Sequence, residues 1–235
     1  MATVQANFLG EGDYRPVALT HFFVDVLNSS RTLLVAVLAV SLDLSNAEVG
    51  LSLLIYNIGN ALTQPFFGGL ADRIGPRKLV IMGMGWMIGF YALAAIAGDW
   101  IALAAVTVAG LGSGAFHPSG TMVASHASTT ARTQATSIFF MAGQLGLFAG
   151  PILTGLLLEQ FGRPAYLVLP LLALTALISG WRTLSRDGSH YGVVREPPRH
   201  RGQNGFPSIC PVPPYRKLWP WRALSSVPAP PTLPQ

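Results

Sequence analysis

Two uncharged apolar runs, 49–71 and 79–98, flank an interval that packs Asp72, Arg73, Arg77 and Lys78 into seven residues. Each run is about twenty residues or longer, the length a helix needs to cross the ~30 Å hydrocarbon layer of a bilayer. Lipid offers no partner to an open backbone N–H or C=O, so such runs are read as helices rather than strands or loops. The four charges between them mark water-facing chain. Gly68 and Gly69 at the end of the first run, and Gly75 in the interval, are expected to allow a tight reversal and a close approach to a neighbouring helix.

The same pattern repeats along the chain. Six spans are expected, at about 17–41, 48–71, 79–97, 100–124, 134–158 and 165–184, joined by short connections that make successive helices antiparallel. Only 11% of the 235 residues are charged, well below the usual quarter for a soluble domain. Basic residues concentrate in alternate connections: Arg73, Arg77 and Lys78 in the second, Arg132 in the fourth, Arg182 and Arg186 after the sixth span. The first and third hold only Asp43 and Asp99, and the fifth a single Arg163. The positive-inside rule then puts both termini in the cytoplasm of a multi-pass protein of the cell inner (plasma) membrane. Residues 1–16 hold Glu11 and Asp13 and lack a basic leader region, so no cleavable signal peptide is expected.

The chain changes character near Arg186. The last fifty residues carry eleven of the eighteen prolines, and their seven Lys/Arg against two Asp/Glu account for the whole net charge of +5. Residues 185–235 are expected to be a disordered tail, and an abrupt shift of this kind suggests an aberrant or frame-shifted continuation. The high pI therefore says nothing of a nucleic-acid surface, and no nucleic-acid partner is expected. Cys210, the only cysteine, cannot form an intrachain disulfide.

Ionisable side chains at membrane depth are costly and point to a pathway or coupling site. His21, Asp25 and Asn28 fall within about 60° of one another on a helical wheel, with Arg31 some 60° further round. They could bind an ionic solute or pass a proton, or Asp25 and Arg31 could simply pair and lock helices together. Asn57, Asn60 and Gln64 share a face of the second span and suit solute contact or interhelical hydrogen bonding equally. His117 lies beside Pro118 and a run of small residues, where it could relay a proton or hydrogen-bond a neighbouring helix. In the fifth span Ser137, Met141 and Gln144 form a stripe, followed by Gly146, Gly150, Pro151 and Gly155, whose spacing makes a helix-packing groove. No P-loop, nucleophile–base arrangement or metal-ligand motif is visible, so neither catalysis nor a cofactor is expected.

Together these residues resemble a known family. Gly68-x-Leu70-Ala71-Asp72-Arg73-x-Gly75-x-Arg77-Lys78, between spans two and three, is similar to the cytoplasmic signature loop of the major facilitator superfamily, with Pro76 where the family often has Arg. The resemblance implies an all-α membrane protein, here one six-helix half-bundle, and a gating role for Asp72 with Arg73 and Arg77 as partners. Gly146 to Gly155 resembles the glycine–proline motif of the antiporter branch, although Thr154 replaces a common second glycine. Val106 and Val108 occupy positions where proton-coupled exporters often carry an arginine, which leaves part of the coupling to His117. His21-Phe22-Phe23-Val24-Asp25 and Phe116-His117-Pro118 are similar to the fosmidomycin-resistance branch of drug exporters.

The resemblance implies secondary transport, as proton-coupled efflux of a small drug-like or organic anionic compound. Uptake of an organic acid or other nutrient is the alternative. The resemblance covers about 17–184, where family members normally carry twelve spans with the solute between two halves. A half-transporter, inactive alone or active only beside a missing C-terminal half or a second copy, is thus a further alternative.

Overall fold

A computed structural model describes residues 14–128 and 131–184. The expected N-terminal segment up to residue 13, the proline-rich tail and Cys210 lie outside the described residues. Six helices follow one another: α1 (Tyr14–Ser41), α2 (Asn46–Ile74), α3 (Pro76–Ile96), α4 (Asp99–His126), α5 (Arg132–Phe161) and α6 (Val168–Leu184), the last entered through a 3₁₀ turn at Arg163–Leu167. There is no strand among the described residues. The fold is the expected all-α half-bundle, and the helix limits fall within a few residues of the expected spans.

Local chemistry explains the limits on either side of the α2–α3 junction and at the start of α2. Ser45 caps α2: its hydroxyl accepts from the Glu48 N–H, while the Glu48 carboxylate accepts from the Ser45 N–H at 2.8 Å. The two groups satisfy each other's exposed amides and hold the helix start. At the other end, Gly75 adopts φ +95, donates its N–H to the Ala71 carbonyl at 2.9 Å, and hands the chain to Pro76 at the first position of α3. A side chain would be strained at that φ, and proline suits a helix start because its missing N–H has no role there.

This corrects one expectation. The charged stretch between the second and third spans is not a loop: α2 runs through Ile74, α3 starts at Pro76, and only Gly75 stands outside a helix. Gly68 and Gly69 lie within α2, and a Cβ added at either would meet nothing within 4 Å, so neither makes a close approach to another helix among the described residues.

α4 is central, packed along α1, α2 and α3, while α1 is sandwiched between α4, α5 and α6. The contacts are close where glycines face backbone. A Cβ on Gly112 would come within 2.6 Å of the Gly83 carbonyl, and one on Gly83 within 2.7 Å of the Gly112 carbonyl, so the α3–α4 crossing admits no side chain on either strip. Gly146 and Gly150 of α5 lie in the same way against the α1 backbone at Phe22 and Val26. Gly155 does not share that role, since its Cβ would reach only a Leu33 methyl at an ordinary 3.8 Å, and Pro151 is exposed.

Five helical segments are long and apolar enough to cross a membrane: α1, α3, α4, α5 and Arg163–Arg182. α2, with 29 residues, has the length but is not among them. Asn57, Asn60, Thr63 and Gln64 dilute its apolar content. Two polar ties brace the bundle where the third and fifth connections meet. Arg163 donates to Asp99 at 2.8 Å and to the Ala94 carbonyl, one of the last acceptors of α3, at 3.1 Å. Those connections therefore share one end of the bundle, as antiparallel succession requires.

Candidate functional site

The charged residues of α1 converge with α4 halfway along the bundle. His21 and Asp25 are one helical turn apart, so their side chains stack on one face, and their Nε2 and Oδ2 atoms lie 3.1 Å apart. His117 of α4 brings its Nε2 to 3.3 Å from the other oxygen, Oδ1. Each carboxylate oxygen thus faces its own imidazole. The His21 and Asp25 side chains are 2% and 7% exposed against 25% for His117, so the cluster opens only on the His117 side.

The surroundings fix both rings. His21 Nδ1 bonds the Phe139 carbonyl at 2.8 Å, and its ring stacks on Phe139 with centroids 4.0 Å apart. His117 Nδ1 bonds the Ser113 carbonyl at 2.9 Å, one turn back in α4. A carbonyl only accepts, so Nδ1 carries a proton in each ring, and Nε2 faces the carboxylate. Gly143 of α5 closes the floor: a Cβ there would sit 2.5 Å from Asp25 Oδ2 and from His21 Cε1.

A second polar group adjoins the first. Asn28 donates through Nδ2 to Asp25 Oδ1 at 3.0 Å and to the Ser113 hydroxyl at 3.1 Å, while its Oδ1 accepts from the buried Tyr56 hydroxyl. Arg31 lies over the Tyr56 ring, 4.5 Å from its centroid. It donates to the Asn28 carbonyl at 2.5 Å and to Asn57 Oδ1 at 3.1 Å, and its buried Nε has no hydrogen-bond partner. No carboxylate pairs with Arg31 among the described residues. The simple Asp25–Arg31 lock considered from sequence is therefore not formed: Asp25 is held by histidines, and the guanidinium is left to neutral partners. A charge at the centre of a bilayer costs about 2.5–3.5 kcal/mol by insertion scales, which neutral hydrogen bonds and a cation–π contact offset only in part.

The other expected residues divide. Asn57 joins the site through Arg31. Asn60 and Gln64 are partly buried and bond weakly to each other at 3.4 Å, apart from the charged cluster. Ser137, Met141 and Gln144 are exposed on the outer face of α5 and do not reach it. The inward face of that helix is Phe139, Gly143, Gly146 and Gly150. Asp72, Arg73 and Lys78 are exposed at the α2–α3 junction, far along α2 from Asn57, and Arg77 is partly buried there. Tyr56, Ser113 and Gly143 were not singled out from sequence. Ser113 alone carried a signal, the four-residue spacing to His117.

The profile of the Major Facilitator Superfamily matches residues 17–231. The chain belongs to that superfamily. The fosmidomycin resistance protein of Escherichia coli (strain K12) is 28% identical over 163 residues, which cover 69% of this chain and 40% of that protein. The uncharacterized MFS-type transporter YfnC of Bacillus subtilis (strain 168) is 31% identical over 179 residues, covering 74% of this chain and 44% of its own length. The crystal structure of a peptide transporter, POT, in complex with sulfate superposes with a TM-score of 0.67 at 21% identity, over 73% of this chain and 38% of that one. This chain therefore spans less than half the length of these superfamily members, and its six helices match the fold of a major facilitator half. It is a multi-pass membrane protein of a transporter family.

Proposed function

We propose that this superfamily member moves a small organic anion across the membrane by secondary transport, with Arg31 as the group that holds the anion. The unpaired guanidinium carries this reading. Arg31 is oriented by Asn28, Asn57 and the Tyr56 ring, it keeps a buried Nε without a hydrogen-bond partner, and no carboxylate among the described residues neutralises it. An incoming carboxylate, phosphonate or sulfonate would complete its hydrogen bonds in a charge-assisted pair, the strong kind in a poorly solvated place. Asp25, less than two turns away on α1, supplies the opposite charge to which a coupling cation can bind.

The outward direction is supported by the resistance role named for the Escherichia coli relative. All six helices, α2 included, would cross the bilayer with both termini cytoplasmic, and Asp72, Arg73 and Arg77 would gate the cytoplasmic end. The solute would pass between this half-bundle and a second six-helix unit, a separate C-terminal half or another copy. The large exposed apolar side chains of α2 and α5, among them Leu54, Ile58, Leu62, Met141, Phe148 and Ile152, fit such a mate or lipid.

The test is solute movement in vesicles reconstituted with the 235-residue chain, under an imposed proton or sodium gradient, with its oligomeric state measured in the same preparation. Gradient-driven movement of organic anions, lost in Arg31→Ala, is the expected result. Equal movement in Arg31→Ala, or selection of cationic over anionic solutes, would overturn the reading.

A further inference from the structure

No metal-ligand motif is visible in the sequence, because the ligands sit on two helices 92 positions apart between Asp25 and His117. The fold nevertheless brings His21, Asp25 and His117 together, and one ligand atom from each lies within 4.8 Å of the others. We propose that these three side chains form a binding site for a late first-row divalent metal ion, with Zn²⁺ the best fit.

Three observations carry this beyond mere proximity. The first is the direction of the rings. Both Nδ1 atoms are committed to backbone carbonyls, Phe139 and Ser113, so each ring turns its Nε2 toward the Asp25 carboxylate. The two Nε2 atoms and the carboxylate therefore converge on one place, which a proton or a metal ion can occupy. The carbonyl bonds are also the outer support that metal-bound histidines ordinarily show: the non-ligating nitrogen donates to a fixed acceptor, which sets the tautomer and the ring plane.

The second is spacing. Four-coordinate zinc with bonds of about 2.0–2.1 Å places neighbouring ligand atoms about 3.3 Å apart. The observed Nε2–Oδ separations, 3.1 and 3.3 Å, are close to that value, and the three ligand atoms lie within 4.8 Å of one another, so the two rings need only a small inward shift to close around an ion.

The third is the donor set and its surroundings. Two imidazoles and one carboxylate suit zinc, cobalt or nickel, whereas magnesium and calcium require oxygen ligands. Gly143 leaves no room for a side chain against the cluster, Phe139 stacks on His21, and only the His117 side is open. Three protein ligands with one open position make a site where a metal keeps an exchangeable fourth ligand.

The proposal is independent of the transport reading, since it is read as metal binding to the solubilised chain. Purified full-length protein is titrated with Co²⁺, followed by its visible absorption, and Zn²⁺ is added to displace it. The tail holds His190, His200 and Cys210, so a variant with all three replaced serves as the control. One Co²⁺ per chain with an intense low-coordinate spectrum is expected, retained in the tail variant and weakened at least about tenfold in His117→Gln and His21→Gln. Absence of that spectrum, unchanged affinity in His117→Gln, or loss of binding in the tail variant would each overturn the site. Absence would leave protons on the two Nε2 atoms as the only counter-charge to Asp25. Should the histidine variants fail to fold, X-ray absorption on the Co²⁺-loaded unmodified chain decides the matter. Two imidazole ligands support the site, and one or none overturns it.

Discussion

Arg163 reaches across the connection at one end of the bundle to hold Asp99 at 2.8 Å, with the two side chains 20% and 33% exposed. The same guanidinium bonds the Ala94 carbonyl at 3.1 Å, so one side chain closes the end of α3 and ties it to the starts of α4 and the 3₁₀ turn. Arg163→Ala is expected to cost about 1 kcal/mol, the upper range for a partly screened pair. Asp99→Asn should cost less, because the carbonyl bond survives. A double-mutant cycle on thermal unfolding in detergent checks this: additive effects would show that the pair contributes nothing of its own.

Two glycines of α5 should answer an alanine in opposite ways. At Gly143 the new methyl would press on Asp25 Oδ2 and the His21 ring at 2.5 Å, both pinned by hydrogen bonds and stacking. Overpacking of this kind costs about 1–3 kcal/mol and would displace the cluster, so transport should fall with stability. At Gly155 the methyl meets only Leu33 at 3.8 Å, and removal of a flexible residue from a helix interior should stabilise by about 0.5–1 kcal/mol. Melting temperatures of the two variants, compared in one detergent, test the contrast.

Tyr56→Phe removes one oxygen and leaves Asn28 Oδ1 without its buried donor. An orphaned buried acceptor costs about 1–3 kcal/mol. The Arg31 contact is with the ring face and persists in phenylalanine. Stability should therefore fall more than the apparent affinity for an anion. A loss of affinity at unchanged stability would contradict this division of labour.

Arg31→Lys keeps the charge but loses the planar fork that now spans the Asn28 carbonyl and Asn57. Loss of a charge-assisted bond of about 1.5–3 kcal/mol corresponds to a rise in KM for an anionic solute of roughly 10- to 150-fold. Neutral analogues should show little change. Initial-rate measurements with a matched anionic and neutral pair give the comparison.

Orientation can be read with single cysteines in a Cys210→Ser background. Ala47→Cys, beside the acidic first connection, should react with an impermeant thiol reagent from outside intact cells. Ile74→Cys, beside Arg73 and Arg77, should react only after permeabilisation. Both positions are exposed in the structure. Reversed labelling would invert the topology derived from the basic residues.

The helices were largely legible in the sequence because lipid makes length and charge decisive, and uncharged runs of about twenty residues leave one solution. Half of the site was legible for a related reason. His21, Asp25, Asn28 and Arg31 follow helical spacing on one segment, so their shared face needs no tertiary information. His117 stood out as a titratable group beside a proline, but its partner did not, since the pairing depends on how α1 crosses α4. On α5 the glycine spacing marked Gly146 and Gly150 of the inward strip, whereas Gly143 was passed over beside polar Ser137 and Gln144, which lie on the exposed face. Close backbone packing selects what is absent from a side chain, which polarity patterns do not register. The interval at Gly75 was read as a loop because charge implies water, yet exposed charges sit equally well on the last turn of a helix.

Gly75 also sets how α2 and α3 can move against each other. A connection of one residue contributes only two soft torsions, so the 29-residue α2 and the 21-residue α3 meet at a joint and not at a tether. Any tilt of α2 must be passed to α3 or taken up as rotation at that single point. The four charges around the joint ride on the rims of two rigid rods, and their spacing is a direct gauge of the angle between them.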